Sequence, residues 1–358
     1  MRILILNWRD LAHPRAGGSE VYAQNLARHW AAAGHEVTFF CAAVPGRAEV
    51  EDVDGYRLVR RGGRLSVYRQ AHSYFESTGE DSFDVILDVV NTRPFMAAKW
   101  AAQPRVIALV HQVAREVWRY EAPWPASWLG RYLLEPRWLR TYRDLPVLTV
   151  SQSSRASLHQ YGLKDVAVVP EGVDPPLPIP LPDKAGPPTA IFVGRLSANK
   201  RPLDAIRAHT LVRREIPDAQ LWVVGEGPIM SRLEKAAGPG VRFFGRVDAE
   251  TKQNLMASAH ALVATSVREG WGLTVSEAAR LGTRCVGYDV AGLRDSIPAA
   301  GGVLCDANPE ALAAKLVEHL PAWSTEARPD LGDAGVVSWE EVAQAVLSHL
   351  IPPSQRTL

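Results

Sequence analysis

Short, nearly continuous apolar runs alternate along this chain with longer segments in which apolar residues return at three- to five-residue steps. Residues 2–7 (RILILN) predict a strand. Residues 18–34 (GSEVYAQNLARHWAAAG) predict a helix, with Val21, Leu26, Trp30 and Ala33 recurring along it and Gly34 ending it. Strands are predicted next at 35–42, 84–90, 105–111, 146–151 and 166–172. Runs apolar throughout, rather than at every second position, suit strands covered on both faces, as in parallel sheets. Strands alternating with helices imply an α/β, doubly wound layer.

The alternation then stops. Residues 173–188 (VDPPLPIPLPDKAGPP) hold seven prolines, which neither a helix nor a sheet ladder accommodates, so a stiff extended linker is expected. Strands resume at 189–196, 219–227, 241–247, 260–266 and 284–289, with helices between them, among them 202–214 and 273–281. A last helix at about 338–350 (Trp339, Val342, Val346, Leu350) follows a polar stretch at 324–335. The expected organisation is a first domain at 1–172, a linker at 173–188, a second domain at 189–336 and a C-terminal segment at 337–358. A length of 358 residues also favours two domains. In open α/β sheets ligands bind beyond the carboxyl ends of the strands, so the cleft between two such domains is where chemistry is expected.

Composition narrows the choice. A hydrophobic fraction of 47% and a charged fraction of 22% are ordinary for a globular chain, and a net charge of +1 gives no field for a nucleic acid partner. Cys41, Cys285 and Cys305 are scattered, odd in number and without metal-ligand spacing, which favours a reducing, cytoplasmic setting. The first apolar run is too short for a signal segment, and no run approaches the ~18 apolar residues of a membrane span.

Four strand ends carry candidate chemistry. Gly17 and Gly18 let backbone approach a ligand at the start of the first helix, which Ser19 or Gly18 would cap; the plain alternative is an ordinary glycine loop. His111 ends a strand and suits a substrate hydroxyl, or is simply satisfied by nearby backbone. Arg195 and Lys200, beside Gly194, suit a diphosphate, or are two solvated cations. Finally, Glu269 lies past the strand at 260–266. Gly270, Trp271 and Gly272 turn the chain, and a helix then carries Glu277. The amides of residues 272–274 face out of that helix start, where the dipole favours an anion, and Glu277 can accept from ribose hydroxyls. A solvated Glu277 paired with Arg280 is the plain alternative.

These residues together resemble the family 4 retaining glycosyltransferases of the GT-B fold: two Rossmann-like, doubly wound parallel-sheet domains facing across a cleft. The Glu-Gly-Trp-Gly-Leu block with Glu277 eight positions after Glu269 is similar to that family's E-x7-E motif. Gly194-Arg195 with Lys200 five positions on, and Gly17-Gly18-x-Glu20, match it too. VVPEGVD (168–174) resembles its IPNGVD, with Glu171 where asparagine is usual. The resemblance covers essentially the whole chain. It implies that Arg195 and Lys200 neutralise the donor diphosphate, Glu277 binds ribose, and Glu269 and His111 contact the transferred sugar. It implies further that Gly270, Trp271, Gly272, Leu273 and Thr274 frame the distal phosphate, and that the backbone of Arg246 and Val247 meets the base. Gly17 and Gly18 would border phosphate and acceptor. The final helix would cross back onto the first domain.

The expected reaction is transfer of a hexosyl unit, with retention, from a UDP- or GDP-linked donor to a hydroxyl on a glycolipid, a polysaccharide or a small natural product. No cofactor and no metal are expected. Asp52-Val53-Asp54 precedes Gly55 and reads as a hairpin turn rather than a metal motif. The alternatives are a GT-B epimerase or phosphorylase and a catalytically silent sugar-nucleotide-binding partner subunit. A dehydrogenase fits less well, because Gly225-Glu226-Gly227 lacks the third glycine of that fingerprint. Residues 115–144 hold four tryptophans and six arginines. They read either as a peripheral membrane contact at the inner face or as a lid and core-packing region.

Overall fold

A computed structural model describes residues 1–184, 186–329 and 337–351. The expected end of the second domain (330–336) and the last residues (352–358) lie outside the described residues. The chain divides into two compact units. The first holds Met1–Trp118, Trp124–Gly172 and the described residues from Val337 to Ile351; the second holds Arg119–Pro123 and the described residues from Val173 to Pro329.

In the first unit, β1 (Arg2–Leu6), β2 (Glu36–Cys41), β3 (Val50–Val53), β4 (Tyr56–Arg60), β5 (Val85–Val90), β6 (Arg105–Val110), β7 (Val147–Thr149) and β8 (Val166–Val168) form one sheet in the order β3-β4-β2-β1-β5-β6-β7-β8. All pairings are parallel except β3 with β4. Ile3, Leu4, Ile5 and Leu6 are fully buried, which is why the run reads as continuously apolar: the central strand is covered on both faces. Asp54 (φ 47°) and Gly55 (φ 84°) take positive φ between β3 and β4, as a two-residue hairpin turn requires.

Helix Trp339–Leu350 also belongs to this unit. Ser338 caps it by accepting from Glu341 N–H, and Glu341 reaches back to Ser338 N–H at 2.9 Å. It packs on helix Gly18–Ala32: Trp30 Nε1 donates to Ala343 O at 2.9 Å, and Trp339 stands edge-on to Tyr22 at 5.6 Å. Trp339 also covers Gly172, where an added Cβ would lie 2.6 Å from the indole. Truncating a buried tryptophan costs about 3–5 kcal/mol, so this ring anchors the helix.

In the second unit, β9 (Thr189–Val193), β10 (Gln220–Val224), β11 (Val241–Gly245), β12 (Ala261–Ala264), β13 (Arg284–Tyr288) and β14 (Val303–Cys305) form a fully parallel sheet in the order β11-β10-β9-β12-β13-β14. Ala190 and Phe192 of β9 enter one core with helices Pro202–Glu215 and Pro309–Thr325. Ile191, pointing the other way, enters a second core with helices Ala249–Ser258, Leu273–Arg280 and Leu293–Ala299.

The proline-rich segment lies pinned along the second unit. Gln253 clasps Leu177 through its N–H (2.6 Å) and carbonyl (3.2 Å). The Lys184 amine donates to Ala259 O, Gly282 O and Thr283 Oγ1; burial and the Arg328 charge lower its pKa to about 7. The three cysteines are free and buried. Among the described residues no helix is long and apolar enough to cross a membrane.

Candidate active site

The second unit gathers most of the candidate residues beyond the carboxyl ends of β9, β10 and β12. The loop after β9 carries Gly194 and Arg195, then a single 3₁₀ turn, Ala198–Lys200. The loop after β10 runs against it. Gly194 N–H donates to Val224 O, and Leu196 N–H to Glu226 O. A Cβ on Gly225 would lie 1.9 Å from Gly194 O, and one on Gly227 2.2 Å from Leu196 O. Those glycines therefore serve close backbone approach between two loops, which accounts for them without a dinucleotide fingerprint.

The Lys200 turn is tied to the end of β12. Thr265 Oγ1 donates to the carbonyls of Lys200 (2.9 Å) and Arg201 (3.1 Å), and Val267 N–H donates to Asn199 O (2.9 Å). This brings the Lys200 ammonium onto Glu269 Oε1, which also accepts from Ser266 Oγ at 2.5 Å. Glu269 N–H donates to Ala291 O, and Gly292 crosses so close that a Cβ there would lie 2.3 Å from Glu269 O. The carboxylate is thus held on two sides. Arg195 is exposed, and no ion pair engages it among the described residues.

After Glu269 the chain turns through Gly270, Trp271 and Gly272. Gly272 heads helix Leu273–Arg280 at φ 103°, a conformation that favours glycine. Trp271 is buried, and its Nε1 donates to Ser276 Oγ at 2.9 Å, fixing the turn to the helix it starts. Leu273 and Thr274 occupy the first two helical positions, where amides have no intrahelical acceptor. Two amides, a helix dipole and two cations therefore come from neighbouring loops of one unit.

Glu277 lies a turn further on. Its partner is not Arg280, as the helix spacing had suggested. Glu277 Oε2 meets Lys252 Nζ at 2.7 Å, from helix Ala249–Ser258, while Arg280 donates to Val173 O at 3.1 Å. Arg246 and Glu226 form an exposed ion pair at 3.4 Å beside the end of β11, and Val247 packs against the core there.

The first unit carries the other candidates. Gly17, rather than Ser19 or Gly18, is the N-cap of helix Gly18–Ala32, and its N–H donates to the buried Glu20 carboxylate at 2.6 Å. Sequence spacing misplaced the cap because the hydroxyl of Ser19 is dispensable when Glu20 reaches back to the backbone. His111 directly follows β6 and is 7% exposed. Its Nδ1 lies 3.1 Å from Glu171 Oε1, so a side chain satisfies it where nearby backbone had been the plain expectation. Tyr22 stands edge-on to the ring at 5.0 Å, and Ser154 Oγ donates to His111 O.

Lys252, Ser266 and Thr265 were not legible as site residues. Each is a common polar residue in an unremarkable stretch, and only packing gives it a partner. Glu171 was visible solely as a departure from the family pattern.

Two family models match the chain: "Glycosyltransferase Family 4" over residues 16–176 and "Glycosyl transferases group 1" over residues 187–321. Together they span both units. The chain belongs to the family 4 glycosyltransferases. Its activity is transfer of a sugar from a nucleotide sugar. Among curated proteins, this glycosyltransferase is 28% identical over 331 residues to the GDP-mannose-dependent alpha-(1-6)-phosphatidylinositol dimannoside mannosyltransferase of Mycobacterium tuberculosis, covering 84% of this chain and 83% of that protein. Among solved structures, sucrose-phosphate synthase from Thermosynechococcus elongatus superposes with a TM-score of 0.75 at 20% identity, over 97% of this chain and 98% of that one. Anabaena HepE, solved with UDP and glucose, gives 0.72 at 17% identity, over 98% and 99%. Both structural likenesses concern the fold, which is GT-B.

Proposed function

We propose that this glycosyltransferase moves a hexosyl unit, with retention and without a metal ion, from a GDP- or UDP-linked donor to a hydroxyl acceptor. The observation that carries the reading is the Lys200–Glu269 pair set beside the Gly272-headed helix. Cleavage of the donor leaves the sugar oxocarbenium-like and adds negative charge to the diphosphate. Arg195 and Lys200 supply positive charge for that leaving group, and the amides of Leu273 and Thr274 supply donors already held in place.

In this reading the incoming diphosphate shares the Lys200 ammonium with Glu269. The glutamate, braced by Ser266, then accepts from hydroxyls of the transferred sugar. Glu277 holds the ribose, the backbone of Arg246 and Val247 borders the base, and Gly270, Trp271 and Gly272 shape the phosphate turn. His111 meets the sugar, and Gly17 and Gly18 border phosphate and acceptor. Attack comes from the face the leaving group vacates. The acceptor oxygen forms the new bond to the anomeric carbon, the bond to the phosphate oxygen breaks, and that phosphate takes the acceptor proton.

The mycobacterial relative is named for GDP-mannose, which puts that donor first in an assay. The acceptor is a glycolipid, a polysaccharide or a small hydroxylated molecule. Surface chemistry favours the lipid class: Trp124, Trp128, Leu129, Tyr132 and Leu133 of the first unit are all exposed, which suits a peripheral contact at the inner face of a membrane. The free, buried thiols suit a reducing cytoplasm.

Turnover with GDP-mannose and a panel of UDP- and GDP-hexoses, in excess EDTA, tests the reading. Wild-type transfer is expected to persist in EDTA, and Lys200→Ala to lose roughly 10²–10³ in kcat. Near-normal turnover by Lys200→Ala would refute the assigned role.

A further inference from the structure

We propose that Glu171 is a positioning residue for His111: its carboxylate holds the imidazole with the proton on Nδ1 and leaves the buried Nε2 as an acceptor for a sugar hydroxyl. The inference rests on the reading of His111 as a sugar contact.

An ionised carboxylate only accepts hydrogen bonds. The 3.1 Å contact between Glu171 Oε1 and His111 Nδ1 therefore requires the ring proton on Nδ1. In the neutral ring Nε2 then carries the lone pair. Both side chains are buried, at 6% and 7% exposure, so the pair is shielded from water and the tautomer preference is strong. Nε2 is itself buried and has no partner among the described residues. A buried polar atom without a partner costs stability, and a substrate hydroxyl is a group that can supply the missing bond to Nε2.

The surroundings fix the ring without competing for it. Ser154 Oγ holds the His111 carbonyl at 3.0 Å. Tyr22 presents a ring edge, and its own hydroxyl reaches toward Val169 O. The titratable groups with a described contact to the ring are Glu171 and Tyr22. Burial, reinforced by the Glu171 charge, raises the Tyr22 pKa well above its ordinary value, so Tyr22 stays a neutral phenol. Trp339 supports Tyr22 from behind and also presses on Gly172, the residue after Glu171, so one indole steadies both sides of the pair. The asparagine usual at this position in IPNGVD would turn either its oxygen or its amide toward the ring and would bring no charge. The glutamate dictates the tautomer, because either carboxylate oxygen accepts and neither donates.

Glu171→Gln keeps the shape and offers its amide oxygen to Nδ1–H, so the tautomer is retained. Glu171→Leu removes the acceptor and frees the tautomer.

The test is two-bond ¹H–¹⁵N correlation of the histidine-labelled full chain at neutral pH, with His111 assigned by His111→Gln, alongside steady-state kinetics. In the wild type the Nδ1–H tautomer is expected. In Glu171→Gln, whose amide oxygen can still accept from Nδ1–H, the tautomer should be kept and kcat should stay within about twofold of wild type. In Glu171→Leu mixed tautomers should appear, with roughly tenfold lower kcat and an unchanged KM for donor. An Nε2–H tautomer in the wild type, or an Nδ1–H tautomer kept unchanged in Glu171→Leu, would overturn the positioning claim. A His111→Gln enzyme with wild-type kcat/KM would overturn the sugar contact on which it rests, while the tautomer result kept the two failures apart.

Discussion

Lys252 and Glu277 meet at 2.7 Å, each about a third exposed, and a pair so placed contributes little to stability. Its consequence is geometric: a carboxylate held by an ammonium from another helix keeps one rotamer and one direction. If Glu277 binds ribose, Lys252 fixes where the ribose hydroxyls are met. Lys252→Ala is then expected to raise the KM for nucleotide sugar roughly 3–10-fold with kcat within twofold, because ribose binding is the same in the ground and transition states. Steady-state kinetics on the preferred donor checks this, and a fall in kcat at constant KM would contradict it. Glu269, Glu277 and Lys200 stood out in the sequence because glycines and a strand end surround them. Lys252 did not, because its partner is chosen by how two helices cross. Spacing offered Arg280 as the plain alternative for Glu277; the helix instead turns Arg280 toward the Val173 carbonyl.

At the scale of elements, the parallel strands were legible because burial on both faces writes an unbroken apolar run. The glycine-led turns were legible because the backbone there needs positive φ, as at Gly55 and Gly272. Helix Pro309–Thr325 was not read, although Asn308 caps it and Pro309 sits at its first position; Pro321 inside it masks the period. β14 has three residues, too few to carry a pattern. The proline-rich segment read as a spacer because proline speaks only for stiffness. Its attachment depends on Gln253, Lys184 and Arg328 reaching backbone carbonyls, and a carbonyl has no letter in the sequence. His111 shows the same limit: its place at the end of β6 was readable, and its Glu171 partner, delivered by the loop after β8, was not.

At the scale of the whole molecule, residues 115–144 combine packed and exposed aromatic side chains. Trp118 packs on Gly130, where an added Cβ would lie 2.4 Å from the ring, and donates to Glu135 at 3.1 Å, as a core-packing segment would. Trp124 and Trp128 are 81% and 51% exposed, with Arg131 stacked over Tyr132 nearby. Aromatic side chains beside arginine suit a lipid–water boundary. Co-sedimentation with anionic vesicles is expected at low salt and should weaken at high salt and in Trp124→Ser/Trp128→Ser. Failure to bind such vesicles at low salt would leave these residues as lid and packing alone.

The central claim is that Arg195 and Lys200 hold the donor's diphosphate. Calorimetric binding of guanosine, GMP and GDP, with the uridine series beside them, measures it most directly in the wild type and in Arg195→Ala/Lys200→Ala. The preferred diphosphate is expected to bind at least about tenfold more tightly than its nucleoside, a difference of about 1.4 kcal/mol, and the double variant to lose that advantage while keeping nucleoside affinity. A double variant that still prefers the diphosphate by the wild-type margin would contradict the assignment.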